Sequence, residues 1–125
     1  MKINEAISEA DNLKPNAYAQ EDKIRWLSRL DARIFREIIG THERNADEEE
    51  ISFTGYGADD GETELLVGEP YDELYIHWLE AQIDYNNMEY EAFNNSNAMF
   101  EGVYIAFRNA YHQAHMPKGT RKIFY

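Results

Sequence analysis

The alternation of apolar and polar positions divides the chain into four helical segments and one long stretch without a helical period. The run from Pro70 to Phe93, PYDELYIHWLEAQIDYNNMEYEAF, is the strongest of the four. Its polar residues Glu73, His77, Glu80, Asp84, Asn87, Glu91 and Asn94 recur at alternating steps of four and three, which places them in one stripe. Leu74, Trp78, Ala81, Tyr85 and Met88 flank the stripe on one side, with Ile76, Leu79, Ile83, Tyr90 and Phe93 on the other. A helix with so narrow a polar strip buries most of its circumference. This segment, about 70–94, is therefore expected at the centre of a bundle, touching two or more neighbours, with its stripe turned to solvent.

The other three segments are built to dock on it. Ile3, Ala6, Ile7, Ala10 and Leu13 share one face of a short helix over about 3–14, which Pro15 ends. Ile24, Leu27, Leu30, Ile34 and Ile38 form the core stripe of a second helix over about 20–39. Lys23, Arg25, Arg29, Arg33 and Arg36 lie on its solvent side, and Gly40 comes next as a stop. The cluster Asn94-Asn95-Ser96-Asn97 reads as a tight break. A last helix over about 97–115 then buries Met99, Val103, Ala106, Phe107, Ala110, Tyr111 and Ala114. So short a break forces it antiparallel to its predecessor. The expected fold is an all-α antiparallel bundle of about four helices, in a single domain covering 1–125.

Between the second and third helices, from 41 to 69, the period is lost. Asp47-Glu48-Glu49-Glu50 is a charge run, and Gly55, Gly57, Gly61 and Gly68 punctuate the residues after it. Ile51, Phe53 and Tyr56 are spaced in a strand-like way, and Glu62 to Val67 could pair back across 57–61 as a small hairpin. A loop this long in a compact domain is usually functional or disordered. It reads as a projecting acidic arm whose Ile51, Phe53 and Tyr56 need a partner surface. The C-terminal tail over 118–125 is basic and then apolar, with Lys118, Arg121 and Lys122 before Ile123, Phe124 and Tyr125. Those three apolar residues are expected to fold back or to dock on another chain.

Charge sharpens this picture. The net charge is −12 over 125 residues, which disfavours binding to nucleic-acid phosphates. It is unevenly placed. Residues 1–42 are neutral, 43–64 carry nine acids against Arg44 alone, 65–101 carry eight acids and no base, and 102–125 carry four bases and no acid. An acidic middle and a basic end suit a chain that binds its own copy head to tail; equally, the charges could be solvated faces. There are no cysteines, so disulfides and thiolate metal sites are excluded. No signal peptide or membrane-spanning run is visible.

Candidate chemistry is sparse. Glu73, His77, Glu80 and Asp84 have metal-ligand spacing, but facing helices offer few matching ligands, so a solvated face is the expected reading. His112 and His115 lie at a helix C-terminus, where histidine complements the dipole. No catalytic, cofactor or metal residues are assigned. The alternatives are a small metalloenzyme on Glu73, His77 and Glu80, and an acidic DNA mimic that occupies a host protein.

The runs KIRWLSRLDARI at 23–34, TELLVGEPYDELYIHWLEAQIDY at 63–85 and HMPKG at 115–119 together resemble small proteins of the head-gene cluster of tailed phages and prophages of Gram-positive bacteria. These are similar in architecture to the head–tail connector, or adaptor, proteins of long-tailed phages. The resemblance covers nearly the whole chain and is most specific in T-E-L-L-V-x-x-P-Y-D-x-L-Y. It implies a mostly helical structural protein that forms a homo-oligomeric ring under the portal. It further implies contacts to portal and to tail or head-completion proteins, made through the 41–69 loop and the C-terminal tail. No catalytic residue carries over, and no sequence-specific nucleic-acid or membrane partner is implied. The expected location is the virion neck, after a cytoplasmic stage before assembly. An acidic ring lumen would let DNA pass without sticking.

Overall fold

The computed structural model describes residues 1–118. Four helices make up the fold: α1 (Ile3–Leu13), α2 (Gln20–Glu37), α3 (Leu74–Asn86) and α4 (Tyr90–Ala114), with a 3-10 turn, Ile39–Thr41, after α2. No strand occurs among the described residues. As its thin polar strip requires, α3 packs against all three other helices, most extensively against α4. Leu74, Tyr75, Leu79, Ala81 and Ile83 are fully buried on it.

The first helix buries Ile3, Ala6, Ile7 and Ala10, one face at helical spacing, whereas Leu13, expected on that face, is exposed at the helix end. Its opening backbone donors are satisfied from outside. Ile3 N–H bonds to the Thr63 carbonyl at 3.0 Å and Asn4 N–H to that of Gly61 at 2.8 Å, while Leu65 N–H returns a bond to the Met1 carbonyl at 2.9 Å. A Cβ at Gly61 would come within 2.4 Å of the Asn4 amide, so any larger residue there would have to displace that side chain. The expected hairpin across 57–61 is therefore corrected: Glu64 bridges to Lys2 rather than back onto its own loop. The bare end of α1 offers better partners than an isolated two-stranded ribbon, which is marginal in water.

The boundary between the last two helices is also corrected. The break falls at Asn87–Glu89, not at 94–97, and the Asn-rich run 94–97 lies inside α4. Met88 adopts φ 58°, the left-handed region. Met88 N–H bonds to the Tyr85 carbonyl at 3.0 Å and Glu89 N–H to that of Asp84 at 2.9 Å. This pair of bonds is the Schellman stop, in which glycine is the usual left-handed residue. Methionine in that place hides the stop from the sequence pattern. The third helix also starts later than Pro70, because residues 70–73 form turns that bond Leu74 and Tyr75 N–H to the carbonyls of Tyr71 and Asp72.

Across α3 and α4 the contacts are Tyr85 with Phe93, Asp84 with Ser96, Trp78 with Phe100 and, from the turn before α3, Tyr71 with Phe107. They select the face of α4 that is buried: Phe100, Tyr104 and Phe107, with Val103 and Tyr111 beside them. Met99, Ala106 and Ala114, expected in the core, are exposed. An α4 apolar on several sides leaves this choice to the aromatic partners opposite.

Two charged residues expected in solvent are buried. Asp84 is 0% exposed, with the Lys14 ammonium 2.6 and 2.7 Å from its two oxygens and the Ser96 hydroxyl at 2.8 Å, so one carboxylate joins the end of α1 to α3 and α4. Lys23 is buried against Asp11, tying α2 to α1. A buried charge of this kind persists only where it is paired and hydrogen-bonded. Tyr104 links α4 to α2 by donating to Glu37 at 2.6 Å.

The register of α4 is testable by a pair of truncations. Phe100→Ala is expected to cost about 3–5 kcal/mol in urea unfolding. Met99→Ala, one residue away, should change stability by no more than about 0.5 kcal/mol.

Candidate interaction surface

The 41–73 connection is held by one acidic residue of α2. Asp31 stands on the core stripe itself, four after Leu27 and three before Ile34, and is 0% exposed. Its carboxylate accepts hydrogen bonds from the Tyr56 hydroxyl, from the Tyr75 hydroxyl at 2.6 Å and from Leu66 N–H at 3.1 Å. The Tyr75 oxygen in turn accepts from Val67 N–H at 2.9 Å. Burial raises the Asp31 carboxyl above its usual range, against the pull of the three donors. Burial, and then the Asp31 charge, raises both phenols well above theirs. All these polar groups are spent on one another, which makes the cluster a fastening.

This fastening decides where the expected contact residues go. The arm does not project. Ile51 and Tyr56 pack against the chain's own core, as do Leu65, Leu66 and Val67. Tyr56 N–H also bonds to the Ser28 hydroxyl at 3.1 Å. Phe53 is half-buried, edge-on to Tyr56 with ring centroids 5.1 Å apart. Lys118 is exposed, and its backbone N–H bonds to the Thr41 carbonyl at 2.9 Å. Arg121, Lys122, Ile123, Phe124 and Tyr125 lie outside the described residues.

Laying the loop along α2 forms a groove of about 390 Å³. Arg25, Ser28, Arg29 and Ala32 line the helix side, and Phe53, Thr54, Gly55 and Tyr56 line the loop side. Gly55 takes φ 103°, a conformation side chains disfavour, where the loop turns over Ser28. Arg25 is paired with Asp22 at 2.5 Å; Arg29 is exposed and has no ion-pair partner among the described residues. A second depression of about 580 Å³ lies over α1, lined by Glu5, Glu9, Glu69 and Asp72 with Met1, Asn4, Ser8 and Asn12. The surface thus carries a basic, aromatic groove and an acidic one.

The histidines are drawn together by the end of the loop. His42, 7% exposed, presents Nδ1 to the Ile38 carbonyl at 2.6 Å and Nε2 to His112 Nδ1 at 3.2 Å. His115 stacks on Tyr111 at 3.9 Å and meets the Glu48 carboxylate at 2.9 Å. The Glu48 carboxyl is held below its usual range, first by Asn45 N–H. Sequence spacing gives no sign of this cluster, because His42 and His112 are 70 residues apart. On α3, His77 meets Glu80 at 3.3 Å, while Asp84 is committed to Lys14. Among the described residues no group of three His, Asp or Glu is arranged to hold a metal ion. No described helix is long and apolar enough to cross a membrane.

Comparison with protein-family models, curated proteins and solved structures finds no match to the chain.

Two measurements test the Asp31 fastening. In Asp31→Asn the amide either points its NH2 at Leu66 N–H, donor to donor, or turns the Tyr75 hydroxyl into an acceptor and leaves its proton without a partner, so a loss of about 1–3 kcal/mol is expected in urea unfolding. Alkaline titration gives the second. Tyr56 and Tyr75 have raised pKa values in the folded chain, so the stability they contribute is whole below the ordinary phenol value of 10.0 and is lost as pH rises beyond it. Tyr104, pushed up to about 12 by burial and then by its bond to Glu37, acts in the same direction. The unfolding free energy should therefore fall steeply above pH 10, and Tyr75→Phe should flatten that fall.

Proposed function

We propose that this chain is a structural protein of a tailed phage or prophage: a head–tail connector, or adaptor, that forms a ring beneath the portal and bridges capsid to tail. The observation that carries this reading is the segment TELLVGEPYDELY, residues 63–75. Its apolar positions are spent on the core, with Leu65, Val67, Leu74 and Tyr75 buried and Tyr75 bonded to Asp31. The residues that make the resemblance are thus those that shape the fold and fasten the loop to α2.

Three features agree with a ring subunit. The facing pairs of α3 and α4 run in opposite senses, from Tyr85 with Phe93 to Tyr71 with Phe107, as in an antiparallel helical unit. Opposite charges occupy different places: carboxylates line the depression over α1, while arginines line the groove on α2. Contacts between unlike patches are heterologous and close into rings when the rotation permits. The basic tail from Lys118 onward adds a further cationic element to a strongly acidic chain.

The acidic alternative rests on the exposed carboxylates of the loop, Asp47, Glu49, Glu50, Asp59, Glu62 and Glu64, which would face a cationic host protein as a DNA mimic. One set of measurements separates the two readings. Light scattering across a concentration series, with pull-down by purified portal and head-completion proteins, should show self-association and capture of at least one of them. Charge reversal at Arg121 and Lys122 with removal of the last three residues should weaken that capture. Selective capture of a host nuclease or repressor, with no virion component bound, would favour the mimic.

A further inference from the structure

The corner between α3 and α4 exposes three large side chains close together in sequence. Met88 is 73% exposed, and Tyr85 and Tyr90 are each 56% exposed. The two tyrosine rings stand edge to face at 6.0 Å, so they present one joint surface. Between and beside them are Glu89 and Glu91, both exposed and both without an ion pair among the described residues. The Schellman stop sets the turn at this corner, and the Met88 side chain stands in solvent beside it. A knob of methionine and tyrosine flanked by carboxylates has the composition of an interface core with a charged rim.

Its complement is on the same chain. The groove on α2 offers Arg29, which has no carboxylate of its own among the described residues, Arg25, and the half-buried ring of Phe53. The match is one of charge and of chemistry: guanidinium meets carboxylate, and guanidinium also packs on tyrosine faces. Within one molecule the two do not meet, since the knob stays exposed and the groove stays open.

We infer that the α3–α4 corner of one copy, led by Met88 with Glu89 and Glu91, docks into the Arg25–Arg29–Phe53 groove of a second copy. This rests on the self-association in the proposed function and names the surfaces that perform it. Because knob and groove are different patches, a pair of copies keeps one knob and one groove free. Unless two copies make the contact reciprocally about a twofold axis, association continues to a ring or a filament.

The chain has no cysteine, so single cysteines report the contact directly. Met88→Cys protein is mixed with Ala32→Cys protein under mild oxidation, and Met88→Cys with Ser8→Cys serves as the control on the other depression. The groove pair should cross-link about tenfold more than the control. Arg29→Glu in the Ala32→Cys partner should cut that yield several-fold, and Glu89→Arg with Glu91→Arg in the knob partner should restore it. Equal yields from both mixtures, or a yield indifferent to both charge changes, would overturn the inference. Light scattering on the unmodified chain is run in parallel. If that chain associates while the cross-link is unselective, the surfaces are wrong and self-association stands. If it stays monomeric at every concentration and neither mixture cross-links, both fall together. If Arg29→Glu leaves cross-linking unchanged and instead abolishes capture of a portal or head-completion protein, the groove belongs to that partner and the inference is wrong.

Discussion

A carboxylate on the apolar stripe of a helix must be satisfied or the helix cannot pack. Asp31 sets that condition here, and the fold is arranged to meet it. Its partners are two phenols and a backbone amide, and all three lie in or just beyond the long connection to α3. Satisfying Asp31 therefore draws some thirty residues of polar, glycine-punctuated chain onto the face of α2. Several other contacts depend on that placement. Residues 61–65 reach the open end of α1, Leu65 and Val67 enter the core, and a groove forms where the loop lies beside the arginines.

Asp84 meets the same condition in a different way. It lies on a stripe that would otherwise face water, but α4 and the end of α1 close over it, and Lys14 and Ser96 supply its partners. The two buried acids thus fasten the two halves of the chain. Asp31 holds the loop to α2 and α3, while Asp84 holds the first helix to the last pair. In both cases removing one partner leaves a polar group unsatisfied, which costs more than the bond itself contributes.

Helix number, the central role of α3 and the core faces of α1 and α2 can be read from spacing alone, because each rests on an apolar period of many residues. Other features cannot. Met88 stops α3 in a conformation that composition does not advertise, so the Asn-rich run 94–97 looks like the better break. The buried face of α4 depends on rings contributed by α3, so Met99 and Phe100 are indistinguishable by period. The loop reads as an arm because its apolar residues have no visible partner, although Asp31 at a core position signals one. The groove with Arg25 and Arg29 exists only once the loop is laid down, so nothing local encodes it. The histidine cluster is likewise a product of closure, joining His42 to His112 through the contact of residues 41–43 with 116–118.

The order in which the chain is made adds a further consequence. Asp31 precedes Tyr75 by 44 residues, so at typical ribosomal speeds it emerges roughly two to nine seconds before its deeper phenol. Its other partners, Tyr56 and Leu66, follow 25 and 35 residues after it, so until they emerge the α2 stripe carries a carboxylate that only water can solvate, which opposes collapse of Leu27, Leu30 and Ile34 around it.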